Sequence, residues 1–330
     1  MKYKSIVVTA RGGPEVLAIE ERELRDPAPG EARVRVLATP LVQDDAAARR
    51  GNRPWLPETP YVPGYCMLGV VDALGDSASN FTVGDHVVAL TNYGSHAEYV
   101  YWRAEELGHV PEDLDPAKAV VLVLNYLVAF QILHRIAQVK RGEKALIIGA
   151  SGGVGSAFLD LGRLAGLKMY GLASKSKHGT LTAYGVIPID YKSQDWFEAI
   201  RQAEPNGIDY VFNGMFNKYI KRGIVLLNRG GVLVQYGAPK TKPDFWRFIF
   251  LFILNNVLPN GKKIKGYGTH RLGVDLFKED WSTLFNLFKE RKIDPLIAAR
   301  FPILQAKKAN YMMDTGSVTG TIVLLAPELI

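Results

Sequence analysis

A short glycine-rich segment is the clearest candidate for chemistry in this sequence. Residues 149–155 read GASGGVG, so glycine recurs at every third position. The apolar run KALIIGA leads into the segment and a helical pattern, SAFLDLGRLAG, follows it, which indicates a strand, a tight turn and a helix. Glycine permits such a turn and lets backbone N–H groups approach a phosphate at the positive end of the helix dipole. We therefore predict a dinucleotide-binding loop. The residues expected to face the phosphates are Ser151, Gly152, Gly153 and Val154.

The segment after the next predicted strand bears on the choice of dinucleotide. A site that prefers NAD usually carries Asp or Glu about 20 residues further on, where the carboxylate binds the ribose hydroxyls. Residues 172–178 read LASKSKH and contain no acid. The hydroxyl of Ser174 and the ammonium group of Lys177 suit a 2′-phosphate, which favours NADPH over NADH. A solvated helix start is the alternative explanation of these lysines. Tyr191, after the following strand, could cover the adenine.

The sequence pattern divides the chain into two kinds of structure. Before residue 116, alternating or β-branched runs such as SIVVTA and EARVRVLA are separated by turn signals, which is typical of a small barrel-like β domain. Apolar strands then alternate with helices, which predicts right-handed βαβ units and a doubly wound parallel sheet. We predict an α/β protein with a nucleotide-binding domain over 116–265. Residues 1–115 and 266–330 form the β domain.

The composition excludes several kinds of site and segment. Cys66 is the only cysteine, which excludes an internal disulfide framework and a zinc site built from several thiolates. The longest unbroken apolar runs, AVVLVL and FIFLFIL, are far shorter than the roughly 18 residues of a membrane helix. The start of the chain lacks the apolar run of a signal peptide. The predicted location is therefore cytoplasmic.

Positive charge is concentrated in one segment. The formal net charge is +7, and residues 240–271 contain seven Lys or Arg side chains against one acid, Asp244. The same segment contains the apolar run FWRFIFLFILNNV. Three interpretations stay open: a core or dimer-interface helix, a lid over an apolar substrate pocket, or weak contact with an anionic membrane surface. Nucleic acid binding is not expected, because its cations would spread along a groove among exposed aromatic residues.

Several of these motifs occur together in a known family. GASGGVG, SKSKH and IDY, with NYLVAF upstream and VLVQYGAP downstream, resemble the medium-chain dehydrogenase/reductases and, within them, the zinc-free quinone oxidoreductase branch. The chain is also similar to the vesicle amine transport protein group of that branch. The resemblance covers essentially the whole chain. It implies a GroES-like β-barrel domain, a Rossmann domain and an active site in the cleft between them.

The resemblance also assigns individual positions. The zinc ligands of metal-dependent relatives align with Val42, Tyr65 and Leu124, which cannot ligate zinc as required, so no metal is expected. Tyr65 would then face the cleft, where its phenol could donate to a developing oxyanion, or simply pack. Asp45 matches a recurrent family position and is expected to fix local structure. The other implied catalytic candidates are Gln43, Asn125 and Tyr126. The implied cofactor contacts are Asn213, Tyr236 and Gly237.

The resemblance implies a zinc-independent oxidoreductase that transfers hydride from NADPH to a quinone or an α,β-unsaturated carbonyl. A conjugated acceptor suits a metal-free site, because hydride addition yields an enolate that hydrogen-bond donors can stabilise. The alternative is an NADPH-binding, membrane- or partner-associated protein with little or no reductase activity. The pair Val42-Gln43, where quinone oxidoreductases often carry Asn, motivates that alternative. A homodimer is also implied, with the run GGVLVQYG as a possible sheet edge.

Overall fold

The structure is a computed structural model that describes residues 1–53, 55–78, 80–216, 218–269 and 273–330. The chain forms two units, Met1–Leu127 with Gly273–Ile330, and Val128–Leu272. The sequence pattern places the limits earlier, at 115/116 and 265/266. The first difference arises because the start of the long helical run packs against strands of the first unit. The second arises because the Tyr267 N–H donates to the Gln235 carbonyl and so extends the sheet of the second unit.

Strands dominate the first unit, and strands alternate with helices in the second. The strands are β1 Lys2–Val8, β2 Leu17–Glu23, β3 Glu31–Leu41, β4 Cys66–Leu74, β5 His86–Leu90, β6 Tyr99–Arg103, β7 Gly108–His109, β8 Lys144–Ile148, β9 Lys168–Ala173, β10 Ile187–Asp190, β11 Ile208–Asn213, β12 Leu227–Gln235, β13 Lys263–Gly266, β14 Ile297–Pro302 and β15 Thr321–Leu325. The helices are α1 Gln43–Arg49, α2 Pro116–Val121, α3 Leu127–Gln131, α4 Gly153–Leu164, α5 His178–Ala183, α6 Trp196–Ala203, α7 Lys218–Leu226, α8 Lys242–Val257, α9 Val274–Lys289 and α10 Ala306–Asp314. Segments of π-helix cover Leu122–Tyr126 and Ile132–Ala137.

The first unit is built on a mainly antiparallel sheet. Its strand order is β14-β15-β3-β4-β5-β7, β6 pairs with β3, and β1 and β2 form a separate two-stranded sheet. Burial alternates along the first half of β3, where Ala32, Val34 and Val36 are buried and Arg33 and Arg35 between them are only partly buried. This alternation is the period of a half-buried strand, and it explains why the sequence pattern indicates strands here.

The second unit is a parallel sheet with the order β10-β9-β8-β11-β12-β13. The doubly wound prediction is confirmed. The strand order reverses between β8 and β11, and open α/β sheets bind ligands at the carboxyl ends of strands flanking such a point. The expectation that GGVLVQYG forms the sheet edge is wrong. That run lies in β12, and β13 pairs outside it. The short, lysine-rich sequence of β13 gives little sign of a strand.

Among the described residues, one helical run is long and apolar enough to cross a membrane by length and composition. It spans the 22 residues Pro116–Ala137, and 78% of its most apolar stretch is buried inside the protein. Inspection of unbroken apolar runs misses it, because Lys118, Asn125 and Gln131 interrupt the pattern. The helix begins at Pro116, where the Asp115 carboxylate accepts a hydrogen bond from the Ala117 N–H at 3.0 Å and caps the first turn. Such burial is what a core helix shows.

A buried carboxylate connects the amino ends of two central strands. Glu204, just after α6, is 5% exposed. It accepts hydrogen bonds from the ammonium groups of Lys144 and Lys168 at 2.5 and 2.6 Å, and from the Tyr170 hydroxyl at 2.6 Å. Burial alone would raise the pKa of Glu204, but these donors outweigh it and lower the pKa to about 2.

Replacing Glu204 by Gln should lower the free energy of unfolding by about 1–3 kcal/mol near neutral pH, because charged hydrogen bonds are lost. The carboxylate stabilises the fold above its unfolded pKa of 4.5, and this contribution is lost as the pH falls towards about 2. The difference between wild type and Glu204→Gln should therefore shrink on acidification. Urea unfolding at several pH values measures it. The control is Glu198→Gln, whose carboxylate is 40% exposed beside Arg201. Equal effects of both substitutions would contradict the prediction.

Candidate functional site

The glycine-rich loop lies at the carboxyl end of β8, beside the point where the strand order reverses. Gly149 has φ +89°, a conformation that favours glycine. Its carbonyl accepts a hydrogen bond from the Gly152 N–H at 3.1 Å, which closes the turn before α4. A Cβ on Gly155 would lie 2.1 Å from the Gly149 carbonyl oxygen, so only glycine allows α4 to pack this closely on the turn.

The loop also has the properties of a phosphate site. The first four N–H groups of a helix have no intrahelical acceptor, and the first turn of α4 carries no acidic side chain. Ser151, Gly153 and Val154 are partly exposed, and Gly152 is exposed. A Cβ on Gly152 would make only ordinary contact, at 3.5 Å from the Gly149 carbonyl oxygen. These residues fit a dinucleotide pyrophosphate, as the sequence predicts.

The predicted 2′-phosphate residues lie at the ends of two neighbouring strands. Ala173 of β9 and Asp190 of β10 are register partners, so Ser174 and Tyr191 follow at the same edge. Ser174 is partly exposed, and Tyr191 is 41% exposed. Lys177 is partly buried, and its pKa is lowered by burial and by the positive charge of Lys192.

Lys192 is a cation that the sequence pattern did not single out. Its position just after Tyr191 gives no signal by itself, because its proximity to Lys177 depends on the pairing of β9 with β10. Asp190 is a neighbouring carboxylate, and the hydrogen bond from the Lys192 N–H and the charge of Lys192 are among the causes of its lowered pKa. It is 8% exposed and accepts hydrogen bonds from the Lys192 N–H and the Ser193 hydroxyl. Two of these three neighbouring charged groups are cations, which suits the binding of a phosphate dianion.

Three further predicted cofactor residues come together beyond β11 and β12. Asn213 is fully buried, donates from Nδ2 to Gln235 Oε1 at 2.7 Å and accepts from the Met215 N–H at 3.0 Å. The N–H groups of Tyr236 and Gly237 both donate to the Asn213 carbonyl, at 3.1 and 3.2 Å. Asn213 thus holds the two loops together through bonds within the protein. Its direct contact with a cofactor stays a prediction.

The Tyr236 ring packs over the loop after β11. A Cβ on Gly214 would lie 2.5 Å from the Tyr236 hydroxyl oxygen, and a Cβ on Gly237 would lie 2.2 Å from the Gly214 carbonyl oxygen. Burial raises the pKa of the Tyr236 phenol above its ordinary value. Because Asn213 and Ile148 are register partners in β11 and β8, these loops lie at the same sheet edge as the glycine-rich loop.

The predicted catalytic residues all belong to the first unit, in different surroundings. Gln43 is exposed at the start of α1, and Tyr65, just before β4, is 8% exposed. Asn125 and Tyr126 are 2% and 1% exposed in the first π-helical segment. Asn125 donates from Nδ2 to the Thr321 hydroxyl at 2.8 Å. This bond favours a packing role for Asn125, and catalysis by these four residues stays a prediction.

Asp45 connects the segments that carry Gln43 and Tyr65. It is 5% exposed, and its carboxylate accepts hydrogen bonds from the Gly64 N–H at 3.0 Å and the Val42 N–H at 3.4 Å. The structural role expected for Asp45 matches this geometry. Burial raises its pKa to about 7, although the two N–H donors oppose the shift.

His96 lies against Asp45 and was missed by the sequence pattern. Its Nε2 is 3.9 Å from Asp45 Oδ2, and the ring is 1% exposed. Burial lowers the pKa of His96 to about 4, so the imidazole is neutral near pH 7. Ser95, the preceding residue, donates to the Cys66 carbonyl at 2.9 Å. A buried polar cluster thus lies beside Tyr65. Asp45 is about 50 residues before Ser95 and His96 in the sequence, so no local pattern reveals the cluster.

Comparison with known proteins identifies the family. Residues 183–324 match a family model described as zinc-binding dehydrogenase, and residues 28–112 match the alcohol dehydrogenase GroES-like domain. The synaptic vesicle membrane protein VAT-1 homolog of Rattus norvegicus is 30% identical, over 98% of this chain and 85% of that protein. The chain belongs to the quinone oxidoreductase-like medium-chain dehydrogenase/reductases. Its GroES-like and Rossmann domains are those of this family, and by class it is an oxidoreductase.

Two more relatives have named activities. The 2-haloacrylate reductase of a Burkholderia species is 28% identical, over 97% of this chain and 98% of that protein. The solved quinone oxidoreductase of Coxiella burnetii is 25% identical, covers 99% of this chain and 100% of its own, and superposes with a TM-score of 0.85. Both therefore resemble this chain throughout its length, in both units.

The zinc-binding description of one family model does not fit this chain. Val42, Tyr65 and Leu124 occupy the positions that align with zinc ligands, and Val42 and Leu124 have no donor atom in their side chains. Across the part of the chain that the structure describes, no group of three or more His, Cys, Asp or Glu side chains could hold a metal ion. Burial also raises the pKa of Cys66, which disfavours its thiolate.

Replacing Gly155 by Ala should weaken dinucleotide binding by about tenfold or more. The new methyl group collides with the Gly149 carbonyl, and such overpacking should also lower the free energy of unfolding by about 1–3 kcal/mol. Gly152→Ala should weaken binding while leaving stability nearly unchanged, because its methyl group has room in the loop but faces the phosphates. Fluorescence titration and urea unfolding test the pair. A stable, fully binding Gly155→Ala protein would refute the close-packing argument.

Replacing Asp45 by Asn should change how stability depends on pH. The folded pKa of Asp45 is about 7 and its ordinary value is 3.8, so the folded state holds the extra proton and stability falls as the pH rises between them. The lowered pKa of His96 has the opposite effect on the pH dependence of stability. Its contribution is lost as the pH falls from 6.5 to about 4.

The free energy of unfolding of Asp45→Asn, relative to wild type, should therefore increase with pH between about 4 and 7. Urea unfolding across this range measures the slope. Asp44→Asn is the matched control, because that carboxylate pairs with Arg53 and is 38% exposed. A relative stability that stays constant across the range would show that Asp45 is ionised in the fold.

Proposed function

We propose that this protein is a zinc-independent, NADPH-dependent oxidoreductase whose acceptor is a quinone or an α,β-unsaturated carbonyl. The observation that carries the proposal is the cofactor half of the site. There, a glycine-closed turn opens α4, and Lys177 and Lys192 follow at the ends of the next two strands. When bound, NADPH supplies the hydride from its nicotinamide ring.

In this proposal, each part of the cofactor has a matching group. Backbone N–H groups at Gly153 and Val154 hold the pyrophosphate. The Ser174 hydroxyl and the Lys177 ammonium group bind the 2′-phosphate, and the Lys192 charge adds to the attraction. The loops after β11 and β12, fixed by Asn213, support the nicotinamide side.

The relatives support the acceptor class. One is named a 2-haloacrylate reductase, whose substrate has a carbon–carbon double bond conjugated to a carboxylate, and another is a quinone oxidoreductase. Both acceptors place a carbonyl in conjugation with the carbon that takes the hydride. We propose that Tyr65 donates a hydrogen bond to that oxygen, because a phenol hydroxyl is a donor that can stabilise a developing oxyanion.

The test is loss of NADPH absorbance with a panel of quinones and α,β-unsaturated carbonyls, with NADH in parallel. We expect kcat/KM for NADPH to exceed that for NADH by more than about tenfold, since a charged hydrogen bond contributes about 1.5–3 kcal/mol. Lys177→Ala should reduce this preference by about tenfold. Lys221→Ala, an exposed lysine on α7, should leave the preference unchanged. Equal rates with both cofactors would refute the 2′-phosphate assignment.

A second candidate is an NADPH-binding protein that associates with a membrane or partner and has little reductase activity. The exposed apolar face of α8 favours this candidate. Tight NADPH binding without oxidation across the whole panel would support it and would overturn the reductase proposal.

A further inference from the structure

One face of α8 exposes large apolar side chains to solvent. The exposed residues recur three or four positions apart, which places them along one side of the helix. They are Trp246 at 65%, Phe250 at 63%, Ile253 at 55%, Leu254 at 44% and Val257 at 78% exposure. Leu258, just after the helix, is 48% exposed. Single exposed apolar residues are common, but a continuous stripe of this kind indicates a binding surface.

The opposite face already anchors α8 to the second unit. Phe248 and Phe252 pack against the apolar core under the parallel sheet, which includes the buried Ile264 of β13. Asn255 is 7% exposed and donates to the Lys262 carbonyl at 3.1 Å. A helix anchored in this way normally carries polar residues on its solvent-facing side. The solvent-facing side of α8 is apolar instead, and packing within the second unit does not explain it.

Exposed cations lie near the amino end of the stripe. Lys240, Lys242 and Arg247 are all exposed, and Lys263 is exposed beyond the carboxyl end. Asp244 is the only acid between residues 240 and 269. An apolar face with flanking cations complements a lipid bilayer that contains anionic headgroups.

Two lysines of the segment do not take part in this surface. Lys262 Nζ donates to the carbonyls of Ile224 and Val225 at the end of α7, both at 3.0 Å. Lys265 Nζ donates to the Ile136 carbonyl at 2.6 Å. Both side chains cap helical carbonyls, so their substitution would disturb the fold. Arg271, counted with the cationic segment from sequence, lies outside the described residues.

We propose that the outer face of α8 binds the surface of an anionic bilayer, with the helix in the plane of the interface. The apolar stripe enters the boundary between headgroups and acyl chains, and Lys240, Lys242 and Arg247 contact anionic headgroups. A second copy of this chain fits the surface less well. Asp244 is the only acid in α8 whereas Lys242 and Arg247 are its cations, so two facing copies of the helix would bring together more positive charge than negative. The proposal does not depend on the proposed reductase activity.

Vesicle co-sedimentation of the full chain tests the proposal. We expect binding to phosphatidylcholine vesicles that contain phosphatidylserine, and at least about tenfold weaker binding to phosphatidylcholine alone. The triple substitution Trp246→Ser, Phe250→Ser, Ile253→Ser should abolish binding. The charge reversal Lys240→Glu, Lys242→Glu, Arg247→Glu should remove the preference for phosphatidylserine. High salt should weaken wild-type binding, since it screens exposed charges.

Two controls distinguish binding through this surface from non-specific adsorption to vesicles and from misfolding. Val83 and Ile19 are 65% and 52% exposed outside α8, and Val83→Ser with Ile19→Ser should leave vesicle binding unchanged. Trp246→Phe keeps an apolar ring, so it should bind normally while losing the vesicle-induced change in tryptophan fluorescence. Retained NADPH binding by every variant shows that the second unit is folded.

Three results would overturn the proposal. The first is no sedimentation of wild type with either vesicle composition. The second is sedimentation that survives the triple serine substitution. The third is a dimer in sedimentation velocity that dissociates on that substitution, which would show that a second copy covers the stripe.

Discussion

The cofactor half of the site depends on the close approach of α4 to the turn after β8. Gly149 turns the chain through a positive φ, and the absence of a side chain at Gly155 lets the helix start against the Gly149 carbonyl. This contact fixes where the first N–H groups of α4 point. Because β8 lies beside β11 and β9 in the sheet, the same contact sets the position of those groups relative to the loops that carry Asn213 and Ser174.

Stability and binding are separated along the strands of the second unit. At the amino ends of β8 and β9, the buried Glu204 carboxylate pairs with two ammonium groups, and its single negative charge offsets half of their positive charge. At the carboxyl ends, burial and the nearby Lys192 charge lower the pKa of Lys177, and the Lys192 N–H and the same Lys192 charge lower the pKa of Asp190. The first cluster is made of side chains within the protein, whereas we propose that the second binds the phosphate of a cofactor. A doubly wound sheet makes this separation possible, because all its strands run in the same direction.

Local features of the sequence predicted more of the molecule than long-range ones. The glycine spacing, the alternation in β3 and the Asp115 cap each involve residues a few positions apart, so the pattern records them directly. The Asp45–His96 pair and the Asn125–Thr321 bond join residues that only the folded sheet brings together. The same reason explains the wrong sheet edge, since the place of β13 outside β12 follows from chain return after α8 and not from the composition of either strand.

The α8 helix shows why composition alone left its role open. In the sequence of a typical surface helix, apolar residues mark the buried face and polar residues mark the exposed face. Because α8 is apolar on both faces, its sequence does not show which face is buried. The structure separates the two sides, because Phe248 and Phe252 pack inward while Trp246 and Phe250 remain exposed. It also divides the lysines that the sequence counts together, since Lys262 and Lys265 cap helical carbonyls. The cations that remain exposed lie mainly at the amino end of the apolar face. The surface of α8 is therefore positively charged at one end and apolar along the rest of its length.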